Sequence, residues 1–305
     1  DVSSSNSNGG TMTNKLPVAT LFLAVILLLT LSPGEAQEPT CVDCIDPEGT
    51  PIPTCTPTPS NPRRYVAGSN GLLETNSVGG YNWAPMVAPG NGYERIPMIR
   101  DWDDLTEQIL SQLTITDTVA TLGGNSDWVM MFNEPDLPPP AGSEMTVDEV
   151  VRGQAIIEAL FPDKLIASPA YSQHSYQTIE TVYTRYIQVY GRAPRWDALA
   201  MHCYFIDSAA ACTPIVDWHI AKAAEWGIGE VWVTEFAALA VTGSAGPNWP
   251  PAVASGAAFI DYMEAEGIDR YFLFSHCDEA MPYYECALAY DDGTLTPLGE
   301  MYRSR

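Results

Sequence analysis

The sequence predicts an α/β fold, a (β/α)8 TIM barrel. Three observations carry that expectation. Eight short apolar runs, rich in β-branched and aromatic residues, recur along the chain and mostly alternate with helical patterns. The stretch that holds them, from Arg63 to the end, is about the size of one such barrel. Two of the runs deliver a glutamate at or near their carboxyl ends, where α/β barrels keep their chemistry.

Arg64–Gly68 reads as the first strand and Gly80–Trp83 as the second, stopped at Ala84-Pro85. The link between them is short and glycine-rich, too short for a full helix. Tyr93–Arg100 is the third strand and runs into Asp101-Trp102, after which Asp103–Leu113 is helical. Trp128–Phe132 is the fourth, and Pro135, which has no N–H for a sheet ladder, ends it. Thr146-Val-Asp-Glu149 is a capping box that opens a helix to Phe161. Leu165–Ala167 is the fifth strand.

Ile179, Val182, Tyr183, Tyr186, Ile187 and Tyr190 follow at helical spacing on one face, and Gly191 stops that helix. Asp197–Met201 is the sixth strand and leads into His202-Cys203-Tyr204. Thr213-Pro214 starts a helix as N-cap and first residue, and Gly227 ends it. Val231–Val233 is the seventh strand, with Glu235 near its end. A helix over Ala252–Glu266 stops at Gly267, and Arg270–Phe274 is the eighth strand. The tail from Ala287 to Gly299 reads as a hairpin and a short terminal helix.

Ahead of the barrel the composition changes twice. From Met12, Lys15 precedes an apolar stretch from Leu16 to Leu31 and then small residues near Ala36. That pattern fits an export signal or, uncleaved, a membrane anchor. Residues 37–62 are rich in Pro and Thr and read as a stiff linker. The expected organisation is therefore 1–36 upstream residues with signal or anchor, 37–62 linker and 63–305 catalytic domain, in a secreted or surface-tethered protein. Seven cysteines in an exported chain imply disulfides. Cys203 and Cys212 are expected to pair, as are Cys277 and Cys286, each pair nine residues apart. Cys41, Cys44 and Cys55 form a separate odd group. Zinc at Cys41-x-x-Cys44 is the alternative, but no second pair with suitable spacing follows.

The balance of 14 basic and 38 acidic residues gives a net charge of −24, which argues against nucleic acid and anionic membrane surfaces as partners. It suits a neutral polymer, and eight Trp and fifteen Tyr suit sugar rings that stack on aromatic faces. Glu134 and Glu235, at the ends of the fourth and seventh strands, would face each other across the barrel mouth. Paired carboxyls there can break a glycosidic bond, one as acid/base and one as nucleophile. Asn133 stands ready for a sugar 2-hydroxyl. His202 and Tyr204 lie between the two carboxyls in barrel order, and Tyr81, Asn82, Trp83 and Trp102 offer sugar platforms. Packing is the competing role for His202 and for both tryptophans. Asp136, Asp197 and Glu279 read as loop or cap residues. No phosphate loop or Ser–His–Asp order is present, and neither a cofactor nor a metal is expected.

The runs Tyr81-Asn82-Trp83, Ile96-Pro97-Met98, Phe132–Asp136, Ser168-Pro169-Ala170, Ala200–Tyr204 and Thr234-Glu235-Phe236, with the ending Asp292–Gly299, together resemble glycoside hydrolase family 128. The resemblance spans about residues 63–302. It implies an endo-acting, retaining β-1,3-glucanase with Glu134 as acid/base and Glu235 as nucleophile. It also implies substrate contacts from Asn133, His202, Tyr204 and the aromatics at Tyr81–Trp83. Two positions depart from it. Leu273 stands where the family usually has Trp on strand eight, and Cys203 where it often has Trp. Tyr271, Phe272 or Phe274 could supply the missing surface. The alternatives are a same-clan glycosidase on another β-linked polysaccharide, a non-catalytic glucan-binding surface protein, and a structural cell-wall protein.

Overall fold

The computed structural model describes residues 63–68, 75, 77–89, 93–113, 120–275 and 284–305. The expected signal, the linker, Cys41, Cys44, Cys55, Cys277 and Glu279 lie outside the described residues. The strands are β1 (Arg63–Ala67), β2 (Gly79–Tyr81), β3 (Glu94–Arg95), β4 (Met98–Ile99), β5 (Trp128–Met131), β6 (Leu165–Ala167), β7 (Ala198–Ile206), β8 (Glu230–Gly243), β9 (Gly246–Pro247), β10 (Arg270–Phe274) and β11 (Tyr284–Glu285). The helices are α1 (Val147–Leu160), α2 (Thr178–Tyr190), α3 (Thr213–Trp226), α4 (Trp249–Ala265) and α5 (Pro297–Arg303).

Nine strands form one curled sheet in the order β3-β2-β1-β10-β8-β7-β6-β5-β4, every neighbouring pair parallel, with helices between later strands. This is a TIM-like α/β arrangement. The two strands at the ends of that order, β3 and β4, are parts of one stretch divided by Ile96-Pro97. The expected continuous third strand is broken there because Pro97 has no N–H to give. Its carbonyl still accepts from Met130 N at 2.9 Å.

Strand alternation sends one face of each strand into the curl. Tyr65, Ala67, Tyr81, Ile96, Met98, Trp128, Met130, Ala167, Ala198, Trp232 and Phe272 pack there as one buried cluster. At the amino-terminal end of the strands, Arg270 lies over the rings of Trp232, Trp128 and Tyr65 and pairs with Glu94 at 3.0 Å. The guanidinium thus closes that end with its charge matched.

The capping box at Thr146 forms in both directions, with Glu149 N donating to Thr146 Oγ1 and Thr146 N to Glu149 Oε2. Gly191 and Gly227, both at φ 71°, end α2 and α3 as expected. Thr213 is the first residue of α3 and not its N-cap, which is Cys212. α4 begins at Trp249, three residues earlier than expected, because Pro250 and Pro251 fit a first turn whose N–H groups have no helical partner. The helix expected over 103–113 is instead a π-helical turn, Asp104–Ile109, followed by a 3-10 turn.

The largest departure is in β7 and β8. Both continue well past the expected ends. The apolar run Phe236–Val241 keeps pairing, with Tyr204–Ile206 of β7 on one side and Tyr284–Glu285 on the other. His202, Tyr204 and Glu235 therefore sit within strands and not in loops behind them.

Candidate active site

Two backbone devices aim the glutamates. The β7–β8 register runs Met201↔Val233 and then His202↔Glu235, so β8 carries one extra residue, Thr234. This bulge shifts the alternation by one. Trp232 and Glu235, three residues apart, then both face the curl, and Glu235 lies beside His202. On β5 the strand stops at Met131, and Phe132 and Glu134 adopt φ 47° and 40°. Trp83 stands at φ 53°. Such backbone costs of order 1–3 kcal/mol per residue and collects at functional sites. Glu134 N donates to Ala170 O at 2.9 Å, and Asp136 accepts from Ser172 N at 3.0 Å and from Ser172 Oγ, so the β6 exit holds the β5 exit in place.

Glu134 is 7% and Glu235 3% exposed. One ligand atom from each of Glu134, His202 and Glu235 lies within 4.8 Å of the others. Glu235 Oε1 accepts from Trp83 Nε1 at 2.7 Å and from Tyr81 OH at 2.9 Å, and Oε2 accepts from Tyr204 OH. His202 Nδ1 stands 3.0 Å from Glu134 Oε1 and 3.4 Å from Glu235 Oε2.

These environments differ. Burial pushes the Glu134 pKa above the usual carboxylate value. His202 partly offsets that, and the charges of Glu235 and Asp136 add to it. For His202, burial works against the cation, but Glu235 and then Glu134 outweigh it and hold its pKa above the ordinary imidazole value. Burial, then the Glu235 charge, drives the pKa of Tyr81 and Tyr204 far up, so both hydroxyls stay protonated donors.

Of the sequence-predicted residues, the structure brings together Glu134, Glu235, His202, Tyr204, Tyr81 and Trp83. Asn133 turns its amide nitrogen to Ala141 O at 3.0 Å, and its Oδ1 is buried with no partner among the described residues, as is Asn82 Oδ1. Trp102 lies after β4 beneath the Arg152 guanidinium, 5.6 Å from its ring centroid, and packs there rather than on the carboxylates. Cys203 bonds to Cys212 as expected. Cys286 is disulfide-bonded.

The strand-eight departure falls outside the cluster. Leu273 is fully buried and alternates outward, whereas Phe272 joins the inner core. Phe274 reaches the site: its ring lies 5.6 Å from Trp83 and 5.4 Å from Tyr204, edge-on to two of the three donors of Glu235. Gln173, whose Oε1 accepts from Tyr204 N at 2.6 Å, gave no sequence signal.

Glu134, His202 and Glu235 also form the one cluster of metal-ligand type among the described residues. His202 Nε2 has no hydrogen-bond partner there, whereas a metal-bound histidine nearly always has one. Glu235 already accepts from three neutral donors. The arrangement fits a hydrogen-bonded acid pair better than an ion.

A family model described as glycosyl hydrolase catalytic core matches residues 70–302. A search of curated proteins finds no match. Among solved structures, the chain is similar to a curdlan-specific exo-β-1,3-glucanase of glycoside hydrolase family 128, subgroup III, from Blastomyces gilchristii, in complex with glucose. The TM-score is 0.59 at 22% identity, over 81% of this chain and 100% of that one. It is similar to a subgroup I endo-β-1,3-glucanase from Amycolatopsis mediterranei in complex with laminaritriose, with TM-score 0.57 and 21% identity, over 79% and 98%. It is also similar to a subgroup VII oligosaccharide-binding protein from Trichoderma gamsii, with TM-score 0.57 and 19% identity, over 81% and 94%. At these identities the likeness is one of fold.

Proposed function

Because the chain belongs to the glycosyl hydrolase catalytic core family, we propose that it is a retaining glycoside hydrolase that cleaves β-1,3-glucan, built on a closed (β/α)8 barrel and exported from the cell. Closure is supported by β3 and β4, which end the sheet on either side and are joined by two residues. The finer family 128 assignment, read from the motifs, is supported by the solved structures similar to it.

The observation that carries the reaction is the pair of buried glutamates with oxygens within 4.8 Å and unlike surroundings. Retaining enzymes hold their carboxyls about 5–5.5 Å apart, and inverting enzymes about 6.5–9.5 Å to admit a water. Glu134, with its raised pKa, protonates the glycosidic oxygen as that bond breaks. Glu235, ionised and held by Tyr81, Trp83 and Tyr204, attacks the anomeric carbon. The leaving chain departs with the proton, and Glu235 is left as a neutral ester. Glu134, now a carboxylate, takes a proton from water as the water oxygen attacks the anomeric carbon and the bond to Glu235 breaks, which returns Glu235 as a carboxylate and Glu134 as an acid, with net retention. Trp83, Tyr204 and Phe274 wall the sugar, Asn133 and Asn82 offer buried acceptors to its hydroxyls, and Trp102, under the Arg152 guanidinium, lies outside that wall.

A binding-only role has support in the fold likeness to the oligosaccharide-binding protein, but binding requires neither buried glutamate. The test uses the full chain expressed under oxidising conditions, with β-1,3-, β-1,4- and mixed-linkage glucans as substrates. Short β-1,3-oligosaccharides are the expected products. Glu134→Gln and Glu235→Gln should each lower turnover on the order of 10²–10⁴-fold or more without unfolding. Azide added to Glu235→Gly should yield a glycosyl azide of inverted configuration. Binding without cleavage by the folded wild type would overturn the enzymatic reading.

A further inference from the structure

His202 is a poor candidate for the substrate contact that the resemblance implies. It is fully buried, whereas Glu134 and Tyr204 beside it reach the surface of the site. Its Nδ1 stands between two carboxylates, one at the β5 exit and one on β8, and its Nε2 has no partner among the described residues. Glu235 takes hydrogen bonds from Tyr81, Trp83 and Tyr204, but the described residues give Glu134 one side-chain partner, His202.

We propose that His202 is a positioning residue that shares its Nδ1 proton between the two glutamates and follows the negative charge from one to the other during turnover. The inference rests on the two-glutamate reading above. Before reaction the Nδ1–H has Glu134 Oε1 at 3.0 Å and Glu235 Oε2 at 3.4 Å, and a charge on Glu235 draws it toward the second. Once Glu235 is esterified, Glu134 is the anion, and the same N–H serves Glu134 Oε1 across 3.0 Å. No proton leaves the ring. The donor alone changes partner, which steadies Glu134 as the base for the second step. The titratable groups facing the ring are Glu134 and Asp136 from the β5 exit, Glu235 from β8, and Tyr81 and Tyr204, which stay neutral.

The experiment compares wild type, His202→Asn and His202→Leu in the full chain. Asn keeps a donor near the Nδ1 position and does not titrate. Leu removes the donor. In His202→Leu, kcat should fall at least tenfold and the basic limb of kcat/KM should move to higher pH, because Glu134 loses a bond that favours its anion. The affinity of a β-1,3-oligosaccharide product, measured by calorimetry, should change less than twofold. His202→Asn should recover most of the lost kcat and return the limb toward its wild-type position.

Product binding weakened tenfold or more with an unmoved limb would make His202 a sugar ligand and overturn the proposal. Wild-type kcat in His202→Leu would overturn it equally. If His202→Leu does not fold, His202→Asn and His202→Gln decide the matter, since Gln extends its donor past the Nδ1 position and should not rescue. A readout apart from turnover separates this failure from that of the glycosidase reading. Carboxyl carbon NMR of unliganded protein should show the Glu134 titration displaced upward in His202→Leu whichever polysaccharide is cleaved. An unchanged titration would overturn the proposal even in an active enzyme.

Discussion

Glu134 and Glu235 differ in how their charge is met, and the proposed division of their work rests on that difference. Glu235 accepts hydrogen bonds from the protonated Tyr81 and Tyr204 hydroxyls and from the Trp83 N–H. Glu134 is buried beside carboxylates that disfavour its anion. An acid with its pKa raised by burial loses its proton only above the ordinary carboxylate range. The rate should therefore fall on the basic side as pH rises through that displaced pKa. The limb should vanish in Glu134→Ala assayed on a β-glucoside whose leaving group needs no protonation, while the wild type on β-1,3-glucan keeps it. A limb that survives in Glu134→Ala would assign it to another group. The glutamates were legible in the sequence because each stands at or near the end of a buried apolar run read as a strand. Phe274 was one of three strand-eight residues open to the role, and alternation from the inner Phe272 is what selects it.

At the scale of elements, the sequence marked most of the strands and the capped or glycine-stopped helices, because periodicity and turn residues are local signals. It did not show the bulge at Thr234, since an extra residue in one strand exists only relative to its partner. Nor did it show that Phe236–Val241 continues β8, because alternation says nothing about a neighbour to pair with. The close approach of α1 to the β5 exit was equally hidden. A Cβ on Gly153 would lie 2.3 Å from Phe132 Cζ. Gly153→Ala should gain about 0.5–1 kcal/mol of helix propensity and lose about 1–3 kcal/mol to overpacking. The net expectation is a Tm lower by roughly 2–6 °C. Because Phe132 precedes Asn133 and Glu134 on a strained turn, kcat should fall about tenfold, as small displacements of reacting groups do. An unchanged kcat would show that the turn is held by the β6 exit alone. On α3, burial holds the His219 pKa down at about 4, with its Nδ1–H given to Ile215 O. Its folded pKa lies below the unfolded value, so the unfolded chain takes up a proton first as pH falls. Stability should drop on the order of 3 kcal/mol between pH 6.5 and 4 from this residue alone, and His219→Gln should flatten that part of the curve.

For the molecule as a whole, the net charge of −24 bears on which polymer the proposed site would accept. A neutral glucan gains nothing from long-range fields, so its capture depends on aromatic contact and hydrogen bonds inside the site. Its kcat/KM should vary less than about twofold between 20 mM and 500 mM salt. A carboxymethylated β-1,3-glucan presents the same linkages with added negative charge. Its approach is opposed by the surface field and by the carboxylates at the mouth. At low salt it should be cleaved well below the rate of the neutral polymer, and its rate should climb as salt shortens the screening length from about 30 Å at 0.01 M to about 8–10 Å near 0.1 M. The sign of that slope is the decisive quantity. A rate on the anionic polymer that falls as salt rises would mean that a local basic surface captures the chain, against the overall charge. The site would then have to be sought near the few arginines and lysines and not at the glutamate pair.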